Sequence, residues 1–231
     1  SLLIMNTSTK QLIELYIATF GRAPDASGLT FWDGHLSSGR LTLEQIAKQF
    51  FDATETKERY PQTLSYADFV DEVYVNVLDR PAEADGKAYW VDRLEKKTIT
   101  KESFILTFIG IASGNEGTSD QQLVNNKTTI GYYYAVTLKL DDTTLAFHSM
   151  DSISSDANTV TRMKADLDVY KESKDFNYLA LNDLSNTYNG TEDKDWIYGM
   201  GGDDTLYGNA GDNYIYGGKG IDKIYGGVVI V

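Results

Sequence analysis

The chain is expected to be an α+β protein in two parts, an N-terminal all-α domain with an internal repeat and a short C-terminal parallel β-roll. Three observations lead there. The first half matches itself at an offset of 58 residues, with helical apolar spacing in each copy. From Gly190 onward, glycine, an aspartate or asparagine, an apolar residue and tyrosine recur with a period of nine. Eleven of the 20 glycines also lie in the last 42 residues, so the composition changes near residue 190. A length of 231 residues suits one large or two small domains at the usual ~150 residues per domain. The parts are placed at 1–175 and at 176–231.

Composition narrows the function classes. With 42% apolar and 24% charged residues the chain has enough apolar material for a real core. A net charge of -13 opposes binding to nucleic acid or to anionic membranes, so neither is expected as a partner. The absence of cysteine removes disulfide scaffolds, thiol catalysis and cysteine-based zinc sites. The two histidines, His35 and His148, are too far apart in sequence for a spaced metal motif. No apolar run approaches the length of a membrane span. Leu2 to Met5 is too short for a signal-peptide core and reads as a strand or, preferably, a packing arm.

In the first half, Leu12, Leu15, Tyr16, Thr19 and Phe20 correspond to Val70, Val73, Tyr74, Val77 and Leu78. Arg22 matches Arg80, Gly28 matches Gly86, Phe31-Trp32 matches Tyr89-Trp90, and Phe50 matches Phe108. The spacing 12, 15, 16, 19, 20 is the stripe of one helix face. A turn bearing Pro24 or Pro81 ends that helix. A second helix carries the aromatic-tryptophan pair. Thr42 and Thr100 are expected to cap a third helix, with Gln45 in capping-box position. Leu43, Ile46, Ala47, Phe50 and Phe51 would be its buried face, echoed by Phe104, Ile105, Phe108 and Ile109. Trp32 and Trp90 read as core anchors at helix crossings, the sharper alternative being a sugar-stacking role. Asp25 and Asp85 read as helix caps, and Arg22 and Arg80 as ties within the turns.

The segments LYIATFGRAPDASGLTFW and VYVNVLDRPAEADGKAYW resemble the DUF4214 domain of bacterial surface and type-I-secreted proteins. That domain is similar to the phycobilisome linker fold, and the resemblance covers about residues 8–140. It implies anchoring to cell-surface polysaccharide or lipopolysaccharide, as in surface-layer proteins with comparable helical regions.

The middle is less regular. Ile130, Tyr133, Tyr134, Thr137 and Leu138 form a helix-compatible stripe around Gly131, and residues 141–158 read as a loop and a short helix start. Asn158 or Thr159 is expected to cap a helix holding Val160, Met163, Leu167 and Tyr170. His148, Ser149 and Asp151 are too close in sequence to converge as a catalytic triad, and no enzymatic activity is expected.

The tail carries the chemistry. Its units GTEDKDWIY, GMGGDDTLY, GNAGDNYIY and GGKGIDKIY resemble the RTX, or haemolysin-type, nonapeptide G-G-x-G-x-D-x-U-x, a calcium-binding parallel β-helix repeat. The first six positions make a turn and the last three a short strand with position eight pointing inward. In that family two nonapeptides complete one coil, so turns 18 residues apart stack. Stacking pairs Asp204 with Asp222 and Asp195 with Asn213. The first pair is the preferred Ca2+ site, with carbonyls from Gly199, Gly201, Gly217 and Lys219 completing a shell of hard oxygens. The second pair would bind more weakly or serve as a cap. Asp203 and Asp212, at position five, would add field and solubility. Four repeats make only two coils, so a cap is needed, either from Phe176 to Tyr188 or from further repeats. Gly227 to Val231 reads as an apolar strand, either an end like that of type-I secretion signals or an exposed edge.

These observations lead to a non-catalytic, calcium-binding segment of a secreted or surface-layer bacterial protein that folds on extracellular calcium and anchors or self-assembles at the cell surface. The alternatives are a carbohydrate-binding adhesin module and the accessory region of a secreted hydrolase.

Overall fold

The computed structural model describes residues 5–172 and 176–227. Leu2 to Ile4 of the expected packing arm, and Val228 to Val231 of the expected terminal strand, lie outside the described residues. The chain divides into two compact units, residues 1–164 and 165–231, with the boundary inside a helix. No described helix is long and apolar enough to cross a membrane.

In the first unit the 58-residue repeat sets the helix boundaries. Helices α1 (Thr7–Phe20), α2 (Ala26–Ser37) and α3 (Leu43–Asp52) are followed by a short α4 (Thr54–Arg59). The second copy gives α5 (Tyr66–Leu78), α6 (Ala84–Glu95) and α7 (Lys101–Gly114). Both ends of α2 and α6, and the starts of α3 and α7, fall at the same repeat positions. Thr42 and Gln45 form the capping box of α3, and Thr100 caps α7 by accepting from the Ser103 N–H.

The expected single face of α1 is too narrow a description. Ile13, Ile17 and Ala18 are apolar on its other side, and every residue from Leu12 to Phe20 is buried. Helices α2, α3, α4, α5, α7 and α8 (Ser119–Tyr132) all pack on it. The matched glycines have a matched cause: a Cβ on Gly28 would meet the Tyr16 hydroxyl at 2.6 Å, and one on Gly86 the Tyr74 hydroxyl at 3.3 Å. Trp90 is buried, donating to the Tyr74 hydroxyl at 3.3 Å, whereas Trp32 is only half-buried against Phe50.

The two turns differ where their helix partners differ. Arg22 is buried and donates to Glu55 at 2.8 and 2.9 Å and to the Ala23 carbonyl, with Asp25 at 3.3 Å. Arg80, besides pairing with Glu83 of its own turn at 3.7 Å, reaches Asp120, at the start of α8, from a side chain 41% exposed. Replacing Arg22 with alanine is expected to cost about 2–3 kcal/mol, because Ala23 and Asp25 lose a buried partner. The same change at Arg80 should cost under ~1 kcal/mol. Chemical denaturation of both variants checks the contrast.

Neither Asp25 nor Asp85 caps a helix through its side chain. Asp25 stands at the N-cap of α2 but its carboxylate is turned to Arg22, and Asp141 takes over by accepting from the Ser27 N–H at 2.9 Å. Asp85 lies in the first turn of α6, one residue beyond its start, where a negative charge suits the helix dipole.

The middle is more helical than its composition implies. After α8 the chain continues as a π-helical segment, Tyr133–Thr137. The expected loop over 141–158 contains α9 (Thr143–Asp151), started by Asp142 accepting from the Leu145 N–H and held by burial of Leu145, Ala146 and Met150. Burial lowers His148 to about 4, which keeps its imidazole neutral in the core at ordinary pH. Ser149, beside it on the same helix, donates to the Ala146 carbonyl. Helix α10 (Ala157–Glu172) begins earlier than the expected cap, with the Asp156 carboxylate accepting from the Asn158 N–H.

Candidate metal centre

The second unit begins in the last turns of α10 and continues as short parallel strands. Strands β1 (Asn177–Asn182), β3 (Asp195–Met200) and β5 (Tyr214–Tyr216) form one sheet, and β2 (Thr187–Asn189), β4 (Thr205–Tyr207) and β6 (Lys223–Tyr225) the other. Pairing is in register at 18 residues throughout, from Asn177 with Asp195 to Thr205 with Lys223. Two nonapeptides therefore make one coil, and this is a parallel β-roll.

The roll is one coil longer than the glycine pattern implies. Phe176 to Tyr188, expected as a cap, mostly builds the first coil itself. Its two units lack glycine but place Asn177 and Asn186 at position six, and Leu179 and Tyr188 at position eight. Those residues, 18 upstream of Asp195 and Asp204, were the available signal. Position eight points inward as expected: Ile197 and Leu206 are buried, while Ile224 on the last described coil is exposed. Phe176, Tyr170 and Tyr214 pack their rings on the buried Trp196 at centroid distances of 5.5, 5.8 and 5.3 Å. The Tyr216 hydroxyl donates to the Asp166 carboxylate, and burial holds both groups above their ordinary pKa ranges.

In three of the four stacked pairs the position-six side-chain oxygen accepts from the backbone N–H of the position-six residue one coil earlier. The exception is Asn177, whose N–H donates to the Lys194 carbonyl at 2.9 Å. Asp222 accepts from the Asp204 N–H at 2.9 Å, Asn213 from the Asp195 N–H at 2.8 Å, and Asp204 from the Asn186 N–H at 2.8 Å. The turns thus fall on two edges, one carrying Asn186, Asp204 and Asp222 and the other Asn177, Asp195 and Asn213.

The edges differ in what the remaining polar atoms find. On the second edge Asn213 turns its amide N–H groups to the carbonyls of Gly208 and Ala210, at 2.8 and 2.9 Å. Asp195 accepts from the Thr191 N–H at 2.7 Å, from the Thr191 hydroxyl at 3.0 Å and from the Asn177 amide at 3.2 Å. On the first edge Asp204 is 1% exposed, yet its Oδ2 has no hydrogen-bond partner among the described residues. That oxygen lies against Gly199, where a Cβ would collide with both Asp204 Oδ2 and the Gly217 carbonyl. The second Asp222 oxygen lies in the same way against Gly217. Lys219 sits beside Gly201 across the stack, its N–H donating to the Met200 carbonyl at 2.7 Å. Asp203 does more than add field, since its carboxylate accepts from the Ile221 N–H at 2.8 Å. Asp212 is exposed.

An unpartnered buried carboxylate oxygen is costly unless a cation meets it. The donors at hand are carboxylates and main-chain carbonyls, the hard oxygens that suit calcium rather than a soft metal. Among the described residues no three acidic or histidine side chains converge, so carbonyls must supply much of any coordination shell.

Comparison with known families agrees with both parts of the chain. Residues 3–60 and 47–116 match the model described as a domain of unknown function, DUF4214. Residues 182–215 and 189–224 match the RTX calcium-binding nonapeptide repeat (4 copies). Neither model describes a catalytic family. Searches of curated proteins and of solved structures return no match. The chain therefore carries DUF4214 sequence at its N-terminal end followed by calcium-binding RTX repeats that fold as a parallel β-roll.

Proposed function

We propose that the chain is a non-catalytic segment of a protein that works outside the bacterial cell, and that its roll completes its fold on calcium held between Asp204 and Asp222. The observation that carries this reading is the buried, unpartnered Oδ2 of Asp204. The ligands would be the two carboxylates with the carbonyls of Gly199, Gly201, Gly217 and Lys219. The Asn213 turn supports that choice, because there the carbonyls at positions one and three converge on the position-six side chain. At position six of the Asp222 turn an acid replaces the amide, so carboxylate and carbonyl oxygens repel unless a cation lies between them. Loading the ion then completes the folding of this edge. Weak sites of this kind stay empty at cytosolic calcium and fill at the roughly millimolar levels outside the cell.

The proposed role of the folded segment is anchoring or assembly at the cell surface. Calcium titration of the whole chain, followed by far-UV circular dichroism and by sedimentation, tests both steps. A calcium-dependent gain of β signal supports the first, and a rise in mass at the same calcium concentration supports assembly. An unchanged β signal up to roughly 10 mM calcium would remove the reading.

One observation favours the carbohydrate-binding alternative. A groove of about 1030 Å³ in the helical unit is lined by Phe31, Tyr132, Asp33 and Lys139, and Phe31 is 57% exposed. An exposed ring beside polar groups suits a sugar face. Loss of binding to extracted surface polysaccharide in Phe31→Ala would support it, and equal binding by the two chains would reject it.

A further inference from the structure

We infer that the two edges of the roll are held by different chemistry: an ion on the Asp204–Asp222 edge, and on the Asp195–Asn213 edge a side-chain amide standing where the ion would. The first half of this rests on the calcium reading above. The second half rests on hydrogen bonds alone.

In Asn213 one side-chain atom accepts from the Asp195 N–H, and the other faces two carbonyls. An N–H can only donate and a carbonyl can only accept, so these partners fix which atom is oxygen and which is nitrogen. The amide nitrogen of Asn213 therefore occupies the place that Oδ2 takes in Asp222, against the position-one glycine of its own turn. The partial positive charge of the amide meets the same two kinds of carbonyl that a cation would meet. A second amide completes the edge, since Asn209 donates to the Gly190 carbonyl at 2.6 Å. With the three donors on Asp195, the polar atoms named on this edge are satisfied without metal.

The consequence is a roll that is half preassembled. In calcium-free solution the amide edge keeps successive coils in register while the acidic edge stays open. Calcium then closes one edge of a stack whose register is already set. Calcium-driven ordering is in that case a local closure with little loop-closure entropy left to overcome.

The test is a reciprocal exchange in the full chain, read by amide hydrogen exchange in chelator and in calcium. In the unsubstituted protein the Asp195 N–H should be protected in both conditions and the Asp204 N–H only with calcium. Asn213→Asp should lower protection of the Asp195 N–H in chelator by roughly tenfold or more, with recovery in calcium. Asp222→Asn should do the opposite, protecting the Asp204 N–H in chelator while the chain binds one ion fewer by calorimetry. Should Asn213→Asp fail to fold, Asp222→Asn still decides. The inference is overturned if Asn213→Asp leaves chelator protection unchanged, or loses it without recovery in calcium. If Asp222→Asn binds as many ions as the parent chain, the calcium seat itself is misplaced, and that result is separate from the Asn213 outcome.

Discussion

Replacing Asp204 with alanine is expected to abolish the calcium-dependent gain of β structure over the range in which the parent chain folds. The side chain is buried and is the proposed charged ligand, and it also accepts the Asn186 N–H that holds the first coil to the second. Losing one carboxylate from the shell should weaken calcium binding by on the order of 3 kcal/mol, or about 100-fold. Calorimetric titration measures the affinity, and circular dichroism at saturating calcium separates lost affinity from lost fold. Asp222→Ala should act in the same direction, since Asp222 accepts the Asp204 N–H. Asp212→Ala is the control: it removes equal formal charge from an exposed position five and should leave the titration unmoved. Equal effects at positions 204 and 212 would mean that net charge matters here and a defined ion seat does not.

An equally large effect is expected from a single methyl group. Gly199→Ala places a Cβ onto the Gly217 carbonyl and Asp204 Oδ2, and the first of these is main chain that cannot step aside. Stacked coils would have to separate where the ion is proposed to sit, at a cost of about 3 kcal/mol or more. For a three-coil roll that should prevent folding at any calcium concentration. The same substitution at Gly226 meets no described atom within 4 Å and should be tolerated. A calcium titration of both variants by circular dichroism provides the comparison. A normal response in Gly199→Ala would show that the coils do not approach so closely.

Much of this was readable in the residues, and the exceptions share causes. The third helices of both repeats were legible because Ile46 and Phe50, like Phe104 and Phe108, keep a clear period and a threonine cap. Helix α1 was legible in place but not in burial, since a stripe on one face says nothing of how many neighbours surround the helix. Helix α9 was not legible, because Thr143, Thr144, Ser149 and Asp151 have loop-like composition and the helix depends on tertiary burial. Asp25 at a helix start reads as a cap, yet a buried arginine three residues earlier competes for it and wins.

In the roll, periodicity carried the pairing of Asp204 with Asp222, because a fixed repeat fixes which residues stack. It could not carry the first coil, which has no glycine to mark its turns. Nor could it carry the direction in which the Asn213 amide points. Asparagine and aspartate have nearly the same shape, and only the hydrogen-bond partners distinguish a turn that needs a cation from one that does not.

The 18-residue register constrains how such a tail can lengthen or shorten over evolutionary time. Removing one nine-residue unit, such as Gly208 to Tyr216, would not merely shorten it. It would carry Asp222 to the opposite side, beneath Asp195, and leave Asp204 facing no acid at all. Only insertions and deletions of whole coils preserve which side chains face each other, so the inheritable unit of this tail is a pair of nonapeptides.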